Sequence, residues 1–305
     1  MNAAVRARFV ERAACVGCRG TALREVASGR FDEGVVGRFI AEDPWGEHPA
    51  PFLAGMQWRL VECERCGLTF HRHVLDAAWG DRRFDRWMTQ EAIQTFEANL
   101  PRRDDRVAIG SVHVAHALRI ERLTRTLRNG AVARLLDFGC GYGDFLAVCA
   151  ALGFTAVGVD RAAAKRTHGS YARVHESLDQ AAPVGPFHAI TLFEVLEHLD
   201  QPLDMLERLR ELLVRGGVLV LETPDCTGVR DIRTRDDYAK LHPLDHINGF
   251  TPATLTRIAR RAGFEPVARP LVVVSARPLD AAKAIARHML SPLRRATTQL
   301  YFRKA

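Results

Sequence analysis

From residue 133 onward, short apolar runs alternate with helix-length stretches. The runs fall at 133–138, 154–159, 187–193 and 217–222. Between the last two, Asp200 can cap a helix and Pro202 suits its first turn. Leu203, Leu206, Leu209 and Leu213 repeat at helical spacing, and Gly216-Gly217 end the pattern. Alternation of this kind predicts a parallel sheet covered by helices on both faces. Ahead of it, from about Asp76 to Asn129, the periodicity is helical: Ile120, Leu123 and Leu127 share a face, and Asn129-Gly130 is a stop signal. Two further strands are predicted at 263–274 and 298–305, separated by a basic, helix-prone stretch broken at Pro292. The first 76 residues contain an extended-looking "MQWRLVE" and, between Cys18 and Cys63, 44 residues rich in glycine and proline that read as loop. The expected domains are therefore a module at 1–76, a helical linker or lid at 77–130, and an α/β domain at 131–305 with a basic helical insertion at about 276–298.

The junction of the first predicted strand and helix, "LLDFGCGYGDFL" (135–146), places Gly139, Gly141 and Gly143 at every second position. A glycine turn between strand and helix brings bare amides and a helix N-terminus to a ligand. The dinucleotide fingerprint G-x-G-x-x-G would need a glycine where Asp144 stands, and an acid there disfavours a pyrophosphate. No Gly-Lys-Ser/Thr follows, so this is not a P-loop either. Asp160 ends the next strand, "TAVGVD", where its carboxylate can accept hydrogen bonds from vicinal ribose hydroxyls. The expected ligand carries a ribose and no phosphate at the turn.

Together with "FHAITLFEVLEHLDQP", "LRELLVRGGVLVLETPD" and "FTPATLTRIARRAGFEPV", these blocks resemble the class I S-adenosylmethionine (SAM)-dependent methyltransferases over roughly 118–305. The resemblance implies a doubly wound, mostly parallel, seven-stranded Rossmann-like sheet. It also implies that Asp137, Gly139, Cys140, Gly141 and Gly143 form the cofactor turn and that Asp160 holds the ribose. Ser177 and Leu178 would line the adenine, and Phe193 and Glu194 would sit near the methyl group.

The "EVLEHL" block offers Glu194, Glu197 and His198, and "LHPLDHINGF" adds His242, Asp245 and His246. His198 or His246 is expected as general base, because imidazole titrates near neutral pH, and Glu194 is a third catalytic candidate. A similar ExxEH block accompanies a divalent cation in small-RNA 3′-terminal ribose methyltransferases and some quinone O-methyltransferases. By that resemblance the acids and imidazoles here are a second candidate metal site.

Two CxxC pairs, Cys15/Cys18 and Cys63/Cys66, supply four thiolates for tetrahedral zinc, with Gly20 and Gly67 close behind to let the backbone fold around it. Four thiolates leave no open coordination position, so the zinc is expected to be structural. This small zinc-ribbon-like module ahead of a class I core resembles bacterial methyltransferases of sugar and secondary-metabolite clusters, "WRLVECERCGLTF" especially. The long C-terminal domain of the sugar C-methyltransferases is not expected here, a departure from that resemblance. Cys140, Cys149 and Cys226 make the cysteine count odd. With no export signal at the N-terminus, a reduced, cytoplasmic protein is expected rather than a disulfide framework.

Charge narrows the partners. The chain carries +7, of which the last 30 residues hold +6. A uniformly basic nucleic-acid-binding body is not supported, and a local basic patch is. No run approaches the roughly 18 apolar residues of a membrane span. The expected activity is methyl transfer to a small-molecule acceptor, on a hydroxyl of a sugar or secondary metabolite. The alternatives are a metal-assisted RNA ribose methyltransferase and a non-catalytic SAM-binding scaffold.

Overall fold

The computed structural model describes residues 5–99, 106–128, 130–162, 172–275, 278–290 and 298–305. Among them the strands run, in chain order, β1 (Phe9–Glu11), β2 (Leu23–Arg30), β3 (Gln57–Cys63), β4 (Thr69–His71), β5 (His73–Leu75), β6 (Arg134–Phe138), β7 (Thr155–Val159), β8 (Arg173–His175), β9 (Phe187–Phe193), β10 (Leu213–Glu222), β11 (Asn248–Gly249), β12 (Phe264–Val267) and β13 (Leu300–Lys304). The chain forms two compact units. One gathers Met1–Arg103, Glu197–Pro202 and Pro224–Thr254; the other gathers Asp104–Leu196, Leu203–Thr223 and Leu255–Ala305.

The second unit is built on a seven-stranded sheet in the order β12-β13-β10-β9-β6-β7-β8. Strands β10, β9, β6, β7 and β8 are parallel, and β13 runs antiparallel between β10 and β12. The central strands are apolar and buried on both faces; Leu135, Leu136, Ala189, Ile190 and Val220 are inaccessible to solvent. Helix Pro202–Glu211 buries Leu203, Leu206 and Leu209.

Several boundaries differ from those expected. Leu213 begins β10 instead of ending the helix. Gly216 and Gly217 lie inside that strand, where Gly216 takes φ 71° and the register with β9 shifts between Leu213 and Val218. The glycines serve a β-bulge, not a helix stop. The expected strand 263–274 is only Phe264–Val267 long, and 268–275 is irregular. Pro270 within it has no N–H to give a ladder. Of the basic insertion, helix Pro278–Leu290 is described, whereas 276–277 and 291–297, including Pro292, Arg294 and Arg295, lie outside the described residues, as does Asn129. Arg303 and Lys304, counted with the basic patch, serve β13 by donating to the carbonyls of Gly216 (2.8 Å) and Leu213 (2.6 Å).

The first unit contains an antiparallel sheet in the order β11-β4-β3-β2 and the two-stranded pair β1–β5. The glycine- and proline-rich gap is more ordered than its composition suggests, because it supplies β2 and helix Gly34–Glu42. The larger difference lies in what completes this unit. Residues 224–254, expected in the α/β domain, contribute β11 and the buried Ile232, Tyr238, Leu241 and Leu244 to a core with Phe39, Ile40, Leu53, Trp58, Trp79 and Trp87. Trp79 and Trp87 are buried and packed against one another, with ring centroids 5.8 Å apart. Phe84 is 38% exposed, and the Phe96 side chain lies outside the described residues. Arg12 ties the added segment down through Asn248 Oδ1 (2.8 Å) and the carbonyls of Ile247 and His71. Among the described residues no helix is long and apolar enough to cross a membrane.

Candidate functional site

The turn after β6 explains its glycines one by one. All three have left-handed φ: 79° at Gly139, 54° at Gly141 and 83° at Gly143. At Gly139 a Cβ would also stand 2.3 Å from Val195 Cγ2, so this glycine is required by packing. At Gly141 a Cβ would meet nothing within 4 Å among the described residues, so there the turn leaves room for a ligand to approach the backbone. Gly143 is the N-cap of helix Asp144–Ala151, and no side chain caps that end. Gly139 N and Cys140 N both donate to Val159 O, at 2.7 and 3.1 Å, which locks the turn to the end of β7. Cys140 is buried, and its carbonyl accepts from Gly143 N at 3.0 Å, so it serves the turn.

Asp160, directly after β7, belongs to the same assembly. Oδ2 accepts from Gly141 N at 2.9 Å and Oδ1 accepts from Ala162 N at 2.8 Å. An ionised carboxylate offers about four acceptor positions over its two oxygens. Asp137 is buried at the end of β6 and accepts from Thr191 Oγ1 at 2.6 Å. Burial pushes its carboxyl up to about 7, against the Thr191 hydrogen bond and with help from the charge of Asp160. Ser177 is the N-cap of the short helix Leu178–Ala181, and Leu178 is buried. Phe193 ends β9, with its ring 5.1 Å from that of Phe145 and perpendicular to it. Glu194, next in the chain, takes φ 53°, a strained value for a residue with a Cβ, and donates its N–H to Glu222 O at 2.9 Å. The carboxyl ends of β6, β7 and β9 thus carry the open glycine, the carboxylate and the strained residue. Ligands of open α/β sheets bind at that edge. An open Gly141 beside a carboxylate with acceptor capacity fits an adenosyl group bearing two ribose hydroxyls.

A second group of titratable residues lies within the first unit. Glu197 is fully buried, and Glu197, His198 and His246 place ligand atoms within 4.8 Å of one another. His198 Nδ1 is 3.0 Å from Asp245 Oδ1, which also receives Arg83 Nη1 at 3.2 Å. The His198 and His246 rings meet edge to face at 4.6 Å. Burial pushes the His198 imidazole down, but Asp245 outweighs it and holds it at about 9. At neutral pH it is therefore charged and donates to Asp245. Burial holds His246 down at about 4, neutral over the same range. Sequence reasoning had named Asp245 but missed Arg83, which comes from the π-helical turn Arg83–Trp87, 162 residues away. His242 sits apart from this group: it pairs with the Tyr238 hydroxyl at 2.8 Å, and that hydroxyl donates to Asp43 at 2.8 Å. Glu194 belongs to the other unit.

Cys15, Cys18, Cys63 and Cys66 are gathered with their sulfurs within 4.8 Å of one another. The Cys15–Cys66 and Cys18–Cys63 sulfurs are each 3.5 Å apart, near the roughly 3.8 Å edge of a tetrahedron with 2.3 Å zinc–sulfur bonds. The cluster fits a zinc ion. Its turns differ from expectation in one respect. Gly67 has φ 74°, but after the first pair it is Arg19 that takes the left-handed value, 60°. Gly20 is needed for approach instead, since a Cβ there would lie 3.3 Å from Cys18 Sγ.

Residues 112–269 match a protein family described as a methyltransferase domain. The ubiquinone biosynthesis O-methyltransferase of Xanthomonas axonopodis pv. citri (strain 306) is 33% identical over 171 residues, 50% of this chain and 71% of that protein. The mitochondrial enzyme of the same name from Schizosaccharomyces pombe is 30% identical over 127 residues. The chain spans only 46% of the yeast protein and 60% of the ubiquinone biosynthesis O-methyltransferase of Dinoroseobacter shibae. Among solved structures, the plantazolicin methyltransferase BpumL in complex with SAH aligns with 74% of this chain and 93% of its own, at 13% identity and a TM-score of 0.48. With more than half its length matched, and with the glycine turn and Asp160 inside the matched span, the chain belongs to the methyltransferase-domain family.

Proposed function

We propose that the protein is a SAM-dependent methyltransferase that acts on a hydroxyl of a small-molecule acceptor, a sugar or secondary metabolite in a biosynthetic pathway. One observation carries this reading: the Gly141 amide is held by Asp160, while among the described residues no atom comes within 4 Å of where a Cβ on Gly141 would stand. When bound, SAM supplies a sulfonium-activated methyl group. Asp160 would accept from the ribose hydroxyls, the amides at the turn would face the methionine part, and Ser177 and Leu178 would border the adenine. Phe193 and Glu194 would flank the reacting centre. The four cysteines would hold a structural zinc with no open coordination position. The ubiquinone biosynthesis relatives support an oxygen acceptor. Titration calorimetry of the full chain with S-adenosylhomocysteine (SAH), NAD and ATP tests the reading. Heat with SAH alone is expected; heat with NAD or ATP and none with SAH overturns it.

A second reading, metal-assisted methylation of an RNA ribose, is favoured by the Glu197–His198–His246 arrangement, in which Asp245 orients His198 through Nδ1 as carboxylates orient metal-ligating imidazoles. RNA binding that weakens steeply with salt would support it. A third, non-catalytic scaffolding, is excluded by any acceptor-dependent formation of SAH.

A further inference from the structure

At the carboxyl edge of the sheet, the end of β10 carries polar groups to which the sequence reading assigned no role. Glu222 is the last residue of β10 and pairs in register with Phe193, the last of β9. Its Oε2 lies 3.4 Å from His116 Nε2, and its Oε1 accepts from Gln299 Nε2 at 2.9 Å. His116, on helix Arg106–Thr124, is 1% exposed, with Nδ1 2.8 Å from the Tyr301 hydroxyl and its ring 4.8 Å from that of Phe193. One turn earlier, His113 meets Phe145 edge-on at 5.7 Å. Phe145 is the second residue of the helix that Gly143 caps, so this cluster and the glycine turn share one edge of one unit.

Glu222 differs from a carboxylate buried only for packing. Its side chain stays 26% exposed while its partner histidine is closed off. Burial pushes its carboxyl up, but His116 and Gln299 outweigh burial and hold it below the usual range. It is therefore ionised at neutral pH and can accept only. Gln299 takes one direction on Oε1, and His116 Nε2, buried and without a hydrogen-bond partner among the described residues, stands 3.4 Å from Oε2. What the exposed side recognises is a hydrogen-bond donor, and charge-assisted acceptance is the strong kind. The neighbouring half-buried Phe193 ring offers an apolar surface beside that acceptor.

We propose that Glu222 receives the hydrogen bond of the acceptor's hydroxyl, and that the acceptor carries this hydroxyl on an apolar ring system packed against Phe193. The inference rests on the methyltransferase reading above and names the acceptor class for that same site. His116 is a positioning residue: it fixes Glu222 and is itself fixed by Tyr301.

The test uses the full chain loaded with SAH and the chromogenic phenol 4-nitrophenol. Saturable binding of the phenol is expected. Glu222→Gln should weaken it about tenfold or more with SAH affinity unchanged. Glu222→Asp keeps the charge but withdraws it by one methylene; it should weaken binding in the same direction and is the variant to read if the Gln form does not fold. His116→Phe keeps a ring against Phe193 and should weaken the phenol, whereas His116→Gln, which retains a donor, should recover most of the loss. Equal phenol binding by Glu222→Gln and the parent overturns the proposal. So does a parent that binds SAH but shows no saturable phenol binding. A parent that fails to bind SAH takes down the methyltransferase reading itself, a result seen before any phenol is added.

Discussion

The backbone N–H of Gly141 donates to Asp160 Oδ2 across 2.9 Å, so the turn after β6 and the carboxylate after β7 are one hydrogen-bonded unit. Asp160 shapes the turn as well as offering itself to a ligand. Asp160→Asn keeps the shape but can present an NH₂ where an acceptor is needed. Calorimetry should show SAH affinity lowered about tenfold or more, the loss of charge-assisted hydrogen bonds. Unchanged affinity would remove Asp160 from the cofactor site.

The glycines of the turn should fail in different ways. Gly139→Ala meets Val195 at 2.3 Å in addition to a left-handed backbone, and should lower the thermal midpoint markedly. Gly141→Ala meets nothing among the described residues and carries only backbone strain, about 1–2 kcal/mol. Its main effect should be on SAH binding, because the new methyl occupies the open side of the turn. If both variants lose stability equally and bind SAH alike, the open side of Gly141 has no role.

All four tryptophans, Trp45, Trp58, Trp79 and Trp87, lie in the unit that holds the four cysteines. Tryptophan fluorescence therefore reports that unit alone. Elemental analysis should find one zinc per chain. Chelation, or Cys63→Ser, should red-shift the emission and lower the fluorescence-detected midpoint. Emission indifferent to chelator would count against a metal at these thiols.

The buried Asp137 predicts a pH dependence of stability with a definite sign. Its carboxyl titrates near 7 in the fold against an ordinary 3.8. Below 3.8 both folded and unfolded chains hold the proton. Between 3.8 and 7 the unfolded chain has released it and the folded one has not, so stability falls as pH rises through that window. Above it the loss is constant. Asp137→Asn should flatten the decline in denaturant midpoints between those values, and an unaltered slope would mean that Asp137 does not carry it.

His246→Ala should reduce turnover while leaving SAH affinity nearly unchanged, if His246 acts on the acceptor side of the reaction. Steady-state kinetics beside calorimetry separate the two. Equal turnover in variant and parent would exclude His246 from the mechanism.

The strand–turn–helix at 134–151, the carboxylate of Asp160 after β7 and the four cysteines were legible in the chain because each is a local pattern. Apolar runs bury themselves, glycine is required where φ is left-handed, and paired thiols recur at fixed spacing. The interior of β10 was misread because Gly216-Gly217 carries the same local signal at a helix end and at a β-bulge, and only the pairing with β9 distinguishes them.

By itself, then, the sequence determined the class of sheet, the position of the glycine turn and the two cysteine pairs. Tertiary structure alone decided that residues 224–254 complete the N-terminal unit through β11 and Arg12, that Arg83 and Asp245 meet, and that His116 reaches Glu222 from 106 residues away. The reason is physical. Strand pairing and buried ion pairs join residues distant in the chain, and their free energy depends on desolvation that exists only once the fold has closed around them.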